Sequence, residues 1–264
     1  MLTSVHNPRV RAVRALLDRR RTREEERRFV AEGVRLIEAA LDAGVRPEAA
    51  FYVGDLLQSE RGRALVARLN KVTETIEVSA VVMDEMSDTE TPQGVVAVLP
   101  FLSVAARRPP DDHAPLILVV DGVRDPGNLG TLLRSAAAVG VTEVLLAPDT
   151  VDLYNPKAVR AGMGAHFLVG AETLPWDGLK ARLTGVAVRV AAARAQQPYD
   201  AVDWTVASAL IVGGEAEGAS EEGQRIARES VAIPMHSGVE SLNAAMAATV
   251  ILFEAQRQRR ARPH

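Results

Sequence analysis

The stretch Leu116-Ile117-Leu118-Val119-Val120-Asp121, followed by Gly122-Val123-Arg124-Asp125-Pro126-Gly127-Asn128-Leu129-Gly130, decides the reading of the fold. An unbroken apolar run is what a strand covered on both faces of a parallel sheet requires. The glycine-rich polar loop then feeds a helical pattern over Thr131–Val139 that stops at Gly140, a natural helix end. The same alternation continues downstream. Glu143–Ala147, Phe167–Val169, Val186–Ala192, Ala209–Val212 and Val231–Ile233 read as strands. Pro156–Met163 reads as a short helix, and a last helix runs from about Asn243 to Arg259. Strands alternating with helices predict an α/β domain on a parallel sheet.

Upstream, Ser103 to Pro115 holds Pro109, Pro110 and Pro115 with paired charges, a poor helix and a poor strand. The spacing therefore predicts a first domain over 1–102, a linker over 103–115 and a second domain over 116–264. The first domain reads as a smaller α/β unit. Val10, Val13, Leu16 and Leu17 recur at helical spacing, and a second helix spans about Val34–Ala43 and stops at Gly44. Ala50–Val53, Glu77–Val78 and Gly94–Leu99 read as strands, with a turn at Thr91-Pro92-Gln93-Gly94.

The chain has 264 residues, 47% hydrophobic and 25% charged, an ordinary globular balance. No apolar run approaches the ~18 residues of a membrane span, and the N-terminus lacks the apolar core of a signal peptide. A cytoplasmic protein without a membrane partner is expected. Cysteine is absent, which excludes disulfides, thiolate catalysis and cysteine-bound zinc. The net charge of −3 argues against an indiscriminate nucleic-acid coat. Its distribution says more. Residues 1–35 hold ten arginines against five acids, and Arg257, Arg259, Arg260 and Arg262 close the chain. Basic ends on an acidic chain suggest anionic partners; solvated helix faces, with Glu24, Glu25 and Glu26 among the arginines, are the competing reading.

Open parallel sheets bind ligands beyond the carboxyl ends of their strands. Three post-strand loops there are unusually polar. They are Asp121–Gly130, leading to Arg134; Gly213-Gly214-Glu215-Ala216-Glu217-Gly218; and Pro234-Met235-His236-Ser237-Gly238-Val239-Glu240-Ser241-Leu242-Asn243. They place Asn128, Arg134, Glu215, Ser241 and Asn243 at one sheet edge, more polar groups than turns require. Ser241 also fits as the N-cap of the last helix. No Gly-x-Gly-x-x-Gly follows a strand, no phosphate loop with Gly-Lys-Ser/Thr occurs, and Ser241 lies in no Gly-x-Ser-x-Gly elbow. The five histidines are too scattered for a metal site.

Asn128-Leu129-Gly130-Thr131-Leu132-Leu133-Arg134, Gly213 to Gly218, and Ile233-Pro234-Met235 through Ser241-Leu242-Asn243-Ala244-Ala245 resemble the three motifs of the SpoU (TrmH-type) RNA 2′-O-ribose methyltransferases of the SPOUT superfamily, in the family's order and spacing. The tail Leu252-Phe253-Glu254-Ala255-Gln256-Arg257 is similar too, and the resemblance covers roughly residues 116–260. More loosely, Asn7-Pro8 and Phe29-Val30-Ala31-Glu32-Gly33 resemble the substrate-binding domain of rRNA-modifying members.

The resemblance implies a C-terminal trefoil knot, which topology rules alone would reject. It implies S-adenosylmethionine as cofactor, held by backbone groups of Gly213, Ile233 and Leu242, with Gly214, Met235 and Ser241 nearby. It implies a catalytic set of Asn128, Arg134, Glu215, Ser241 and Asn243, and a homodimer; the small residues Ala244, Ala245, Ala247 and Ala248 of the last helix offer a face for tight packing, between subunits or within the chain. RNA would be met by Arg9, Arg11 and Arg14 of the first domain and by Arg124. A guanidinium is a lasting cation with donors only, so Arg134 is expected to hold a phosphate or the developing oxyanion. The implied activity is methyl transfer to a ribose 2′-hydroxyl, of 23S rRNA first. The alternatives are the same chemistry on tRNA, or an RNA-binding module without catalysis.

Overall fold

Helix α1 (Pro8–Asp18) opens the first unit. The Asn7 side chain accepts from the Arg9 amide at 2.9 Å, and Pro8 takes the first helical position, where its missing N–H costs nothing. The helix buries Val10, Val13, Leu16 and Leu17, the four residues whose spacing predicts it. In α2 (Arg20–Glu26), the buried Arg23 guanidinium donates to the carbonyl oxygens of Leu16 at 2.5 Å and Leu17 at 3.0 Å, satisfying groups that the end of α1 leaves open. Then follow β1 (Arg28–Glu32), α3 (Val34–Asp42), β2 (Ala49–Val53), α4 (Glu60–Leu69), β3 (Glu74–Val78), α5 (Ala80–Glu85) and β4 (Val95–Pro100). The sheet order is β1-β4-β2-β3. β4 lies antiparallel to β1 and β2, and β2 parallel to β3. The residue pattern alone does not predict β1.

The computed structural model describes residues 1–103, 114–215, 217–236 and 241–261; the expected linker falls almost wholly outside them, as does Arg262. The second unit comprises β5 (Leu116–Asp121), α6 (Pro126–Val139), β6 (Glu143–Leu146), α7 (Pro156–Ala161), β7 (Ala171–Thr173), α8 (Trp176–Arg182), β8 (Ala187–Ala191), β9 (Gln197–Pro198), β10 (Ser208–Gly213), α9 (Glu221–Ile226), β11 (Glu229–Ala232) and α10 (Ala244–Ala261), with α7 as the exception below. The seven strands are all parallel, in the order β7-β6-β5-β10-β8-β11-β9. β5 has the expected boundaries, and all six of its residues are buried. Ile117, Val119, Ala209 and Ile211 pack with Leu179 and Leu183 on one face of the sheet. Leu118 is fully buried, and Leu118→Ala should cost about 2–5 kcal/mol.

Expectations are corrected at the start of α6 and at Phe167–Val169. α6 begins at Pro126, not Thr131, because the Asp125 carboxylate accepts from the Asn128 amide at 2.8 Å and Pro126 takes the first helical position. Asn128 therefore lies in the first helical turn. Phe167–Val169 is not a strand: Ala165–Phe167 is a single 3-10 turn and the strand follows as β7. Phe167 is buried near Phe29, whose ring stacks on Tyr154 at 4.5 Å, while Leu168 is 68% exposed. Tyr154–Phe167, including α7, accordingly clusters with Met1–Leu102 as one compact unit. Arg160 of α7 pairs with Asp88 at 2.9 Å, and the Tyr154 hydroxyl accepts from the Leu102 amide at 3.0 Å. Finally, Ala245 and Ala248 are buried within the chain, where α10 packs on α6 and β10. The face that α10 leaves open instead carries Met246, Val250 and Phe253.

Candidate active site

From β5 the chain runs outward through β6 to β7, whereas β10, β8 and β11 lie on the other side of β5. The carboxyl ends of β5 and β10 thus mark a switch point of the sheet, the place where parallel sheets bind ligands. The loops after both strands and the segment entering α10 meet there.

Asn128 Nδ2 donates to Glu215 Oε1, and Asn243 Nδ2 donates to Asn128 Oδ1 at 3.1 Å. Asn243 Oδ1 accepts from the amides of Ala245 at 3.0 Å and Met246 at 3.2 Å. The chain has ends of fixed polarity. An ionised carboxylate only accepts and helix amides only donate, so both carboxamides have one consistent orientation. Asn243, rather than Ser241, is therefore the N-cap of α10; Ser241 is exposed and precedes it by two residues. The same chain connects the partly positive start of an 18-residue helix to a carboxylate, a favourable sense.

Arg134 lies six residues beyond Asn128 on α6, about 9 Å along the axis. It is exposed and has no hydrogen-bond or ion-pair partner among the described residues. The structure thus joins Asn128, Glu215 and Asn243 directly, and leaves Arg134 and Ser241 outside that chain.

The glycines of the second loop have steric reasons. Gly214 and Gly218 exchange backbone hydrogen bonds at 3.1 and 3.0 Å, closing a turn that carries Glu215. A Cβ on Gly213 would collide with the backbone of Gly218 and Ala219, and one on Gly214 would lie 2.7 Å from the Gly122 carbonyl oxygen. Gly214 so lets the loops after β5 and β10 approach. At the end of β11, Ile233 and Met235 are half-buried, and Leu242 is exposed ahead of α10. β10 and β11 are separated by β8 alone, so their ends stand about 10 Å apart. Gly213, Gly214, Ile233, Met235 and Leu242 offer main-chain groups and apolar surface without a charge. That donor set suits a nucleoside bound through its edges.

Asp121 is a residue to which sequence reasoning assigns no role. It ends β5, is 2% exposed, and its Oδ2 accepts from the Ser220 amide at 2.8 Å. Burial pushes its carboxyl up from the ordinary value; the hydrogen bonds from Ser220 oppose this, and Glu222 and Asp149 reinforce it. The signal is present in the sequence: a carboxylate closing an apolar run must be buried if the run is a central strand. Beside it, Thr150 Oγ1 donates to the Val120 carbonyl at 3.0 Å and accepts from the Gly122 amide at 3.1 Å.

The candidate RNA contacts differ among themselves. Arg9 pairs with Glu74 at 2.8 Å and Arg14 with Asp18 at 3.0 Å. Arg11 and Arg124 are exposed and have no such partner among the described residues. The basic C-terminus is largely committed to structure. Arg257 pairs with Glu254 at 2.7 Å, and Arg259 donates to the carbonyls of Trp204 at 2.8 Å and Val206 at 2.9 Å, and also to Ala114. Among the described residues no His, Asp and Glu group could hold a metal, and no helix is long and apolar enough to cross a membrane.

A family model described as the SpoU rRNA Methylase family matches residues 115–253, and one described as the MRM3-like substrate binding domain matches residues 7–97. The chain is 33% identical to the mitochondrial rRNA methyltransferase 3 of Mus musculus, across 96% of this chain and 72% of that protein. It is 32% identical to the 23S rRNA (uridine(2479)-2′-O)-methyltransferase of Streptomyces viridochromogenes, across 96% and 91%. The crystal structure of the SpoU methyltransferase AviRb from Streptomyces viridochromogenes, in complex with the cofactor AdoMet, superposes with a TM-score of 0.87 at 31% identity, covering 98% of this chain and all of that one.

Proposed function

The chain belongs to the SpoU rRNA methylase family and is an S-adenosylmethionine-dependent RNA methyltransferase, and we propose that it methylates a ribose 2′-hydroxyl of ribosomal RNA at the edge where Asn128, Glu215 and Asn243 meet. The hydrogen-bonded chain through these three residues, separated by 87 and 115 positions in sequence, carries the reading. Three unrelated turns have no structural need to converge on one carboxamide.

S-adenosylmethionine supplies an electrophilic methyl on a sulfonium, whose carbon–sulfur bond breaks as the ribose oxygen bonds to the carbon. The protein's share is largely positioning. Gly213, Ile233 and Leu242 hold the cofactor by main-chain groups, with Gly214, Met235 and Ser241 beside them. Arg134 binds the RNA phosphate or the oxyanion that develops as the 2′-hydroxyl gives its proton to water. Asn128 has one amide hydrogen on Glu215 and a second free to orient the ribose. Glu215 fixes Asn128 and the second loop, and Ser241 and Asn243 shape the junction of cofactor and substrate.

The first domain, 1–102, supplies the RNA grip, through Arg11 and through Arg9 and Arg14, whose exposed ion pairs a phosphate can replace; Arg124 adds a contact in the methyltransferase domain, 116–264. A separate domain of this length, matched by a substrate-binding model over 7–97, favours rRNA over tRNA. The fold carries the family's C-terminal trefoil knot. The homodimer forms through Met246, Val250 and Phe253, spaced along one exposed line of α10, with Met246 62% and Phe253 47% exposed. A substrate in 23S rRNA, as the name of the Streptomyces viridochromogenes relative has it, goes with a cytoplasmic location.

Incubation with methyl-labelled S-adenosylmethionine and ribosomal RNA tests the reading. A 2′-O-methyl blocks alkaline cleavage at its own phosphodiester, so the label should appear in alkali-resistant dinucleotides. Label confined to mononucleotides marks a base and contradicts it.

A further inference from the structure

We propose that Asp121 is a positioning residue for methyl transfer, acting through the turn that carries Glu215. The inference rests on the reading that Glu215 belongs to the catalytic set. Asp121 stands at both ends of that turn and secures the far one with its side chain. At the start, Gly213 is its register partner in the parallel pairing of β5 and β10. At the far end, its carboxylate takes the Ser220 amide, and Ser220 is in turn the N-cap of α9, its hydroxyl accepting from the Gly223 amide at 3.2 Å. Gly223 has no side chain to keep the two apart; a Cβ there would strike the Asp121 carboxylate.

Between these anchors the chain makes an excursion whose only internal closure among the described residues is the Gly214–Gly218 pair. Glu215 is exposed on it and is held by Asn128. Releasing Ser220 frees one end of the excursion, and the carboxylate that orients Asn128 loses its fixed place. A displacement of about 1 Å at such a site costs up to ~100-fold in rate. The Asp121 carboxylate is also kept buried beside Glu222 and Asp149, an arrangement that costs stability.

The test is a double-mutant cycle on methyl transfer to rRNA, with wild type, Asp121→Ala, Glu215→Ala and the double variant. Asp121→Ala should lower kcat about tenfold, with the KM for RNA and the Kd for S-adenosylmethionine within about twofold. In the Glu215→Ala background the same change should cost nothing further, and Asp121→Asn, which keeps an acceptor oxygen, should recover most of the rate. Hydrogen exchange over 213–220 should be faster in Asp121→Ala than in wild type. Wild-type kcat in Asp121→Ala, an undiminished penalty in the Glu215→Ala background, or unchanged exchange over 213–220 overturns the proposal. Full activity of Glu215→Ala defeats the reading of the site instead, and the exchange result still decides whether Asp121 holds the turn. If Asp121→Ala does not fold, Gly223→Ala displaces the carboxylate from the opposite side and must give the same pattern.

Discussion

In the first unit Arg14, Arg20 and Arg21 each pair with an acid four residues on, and Arg9, Arg61 and Arg68 reach acids on other elements. At the carboxyl edge of the second unit the polar groups are joined by carboxamides, and Arg124 and Arg134 lack ion-pair partners among the described residues. Exposed ion pairs contribute about 0–1 kcal/mol each, little enough for a phosphate to displace the acid. A hydrogen-bonded chain with fixed donor and acceptor ends permits one arrangement only. The two regions thus show the difference between a surface suited to gripping many phosphates and a site built to place one oxygen.

The largest effect should come from Arg134→Ala. Methyl transfer should fall by about 100-fold or more, with the Kd for S-adenosylmethionine by calorimetry within about twofold. Comparable turnover would remove the contrast between an uncommitted arginine and the paired ones. Next, Met246→Glu with Phe253→Glu should turn a dimer into a monomer in sedimentation at micromolar protein. A wild-type monomer under those conditions denies α10 its proposed partner. Asn243→Ala removes a helix cap and one link of the chain. It should cost about 1 kcal/mol in chemical denaturation and about tenfold in kcat.

Smaller effects sharpen the first region. Replacing Arg9, Arg11 and Arg14 by alanine should weaken RNA binding several-fold and lower the salt slope by about one for each phosphate left without its arginine. Arg11 alone should account for the largest share, because it gives up no ion pair. Equal contributions from all three would mean the pairs do not matter. Smallest is a pH effect at Asp121. Its carboxyl is raised by burial, with Glu222 and Asp149 adding to it, so the folded protein holds this proton to higher pH than the unfolded chain does. The associated stability is complete below the ordinary value of 3.8 and is lost as the pH rises through the raised one. Asp121→Asn removes that loss. Its Tm should gain on wild type as the pH rises from about 4 to 7, and a pH-independent difference contradicts the direction.

Periodicity makes the central sheet legible. Leu116–Asp121 reads as a buried strand because neither face has a polar residue to show to water, and α1 reads from four apolar positions that are all buried. Features that depend on distant partners are not legible. β1 holds Glu32, buried where the hydroxyls of Ser87 and Thr89 each donate to it at 2.7 Å. Pro126-Gly127 resembles a turn until Asp125 is seen to cap the helix it begins. The polar residues of the site are visible in the sequence as a collection at one edge. Their connection is not, since Asn243 has to be the cap of α10 to meet Asn128, and Ser241 is an equally good cap by residue type.

The most direct test is a map of 2′-O-methyl positions in ribosomal RNA from cells with and without the gene. Loss of a ribose methyl in rRNA, restored by the wild-type chain and not by Arg134→Ala, is the predicted result. An unchanged rRNA map, or restoration by Arg134→Ala, contradicts the account.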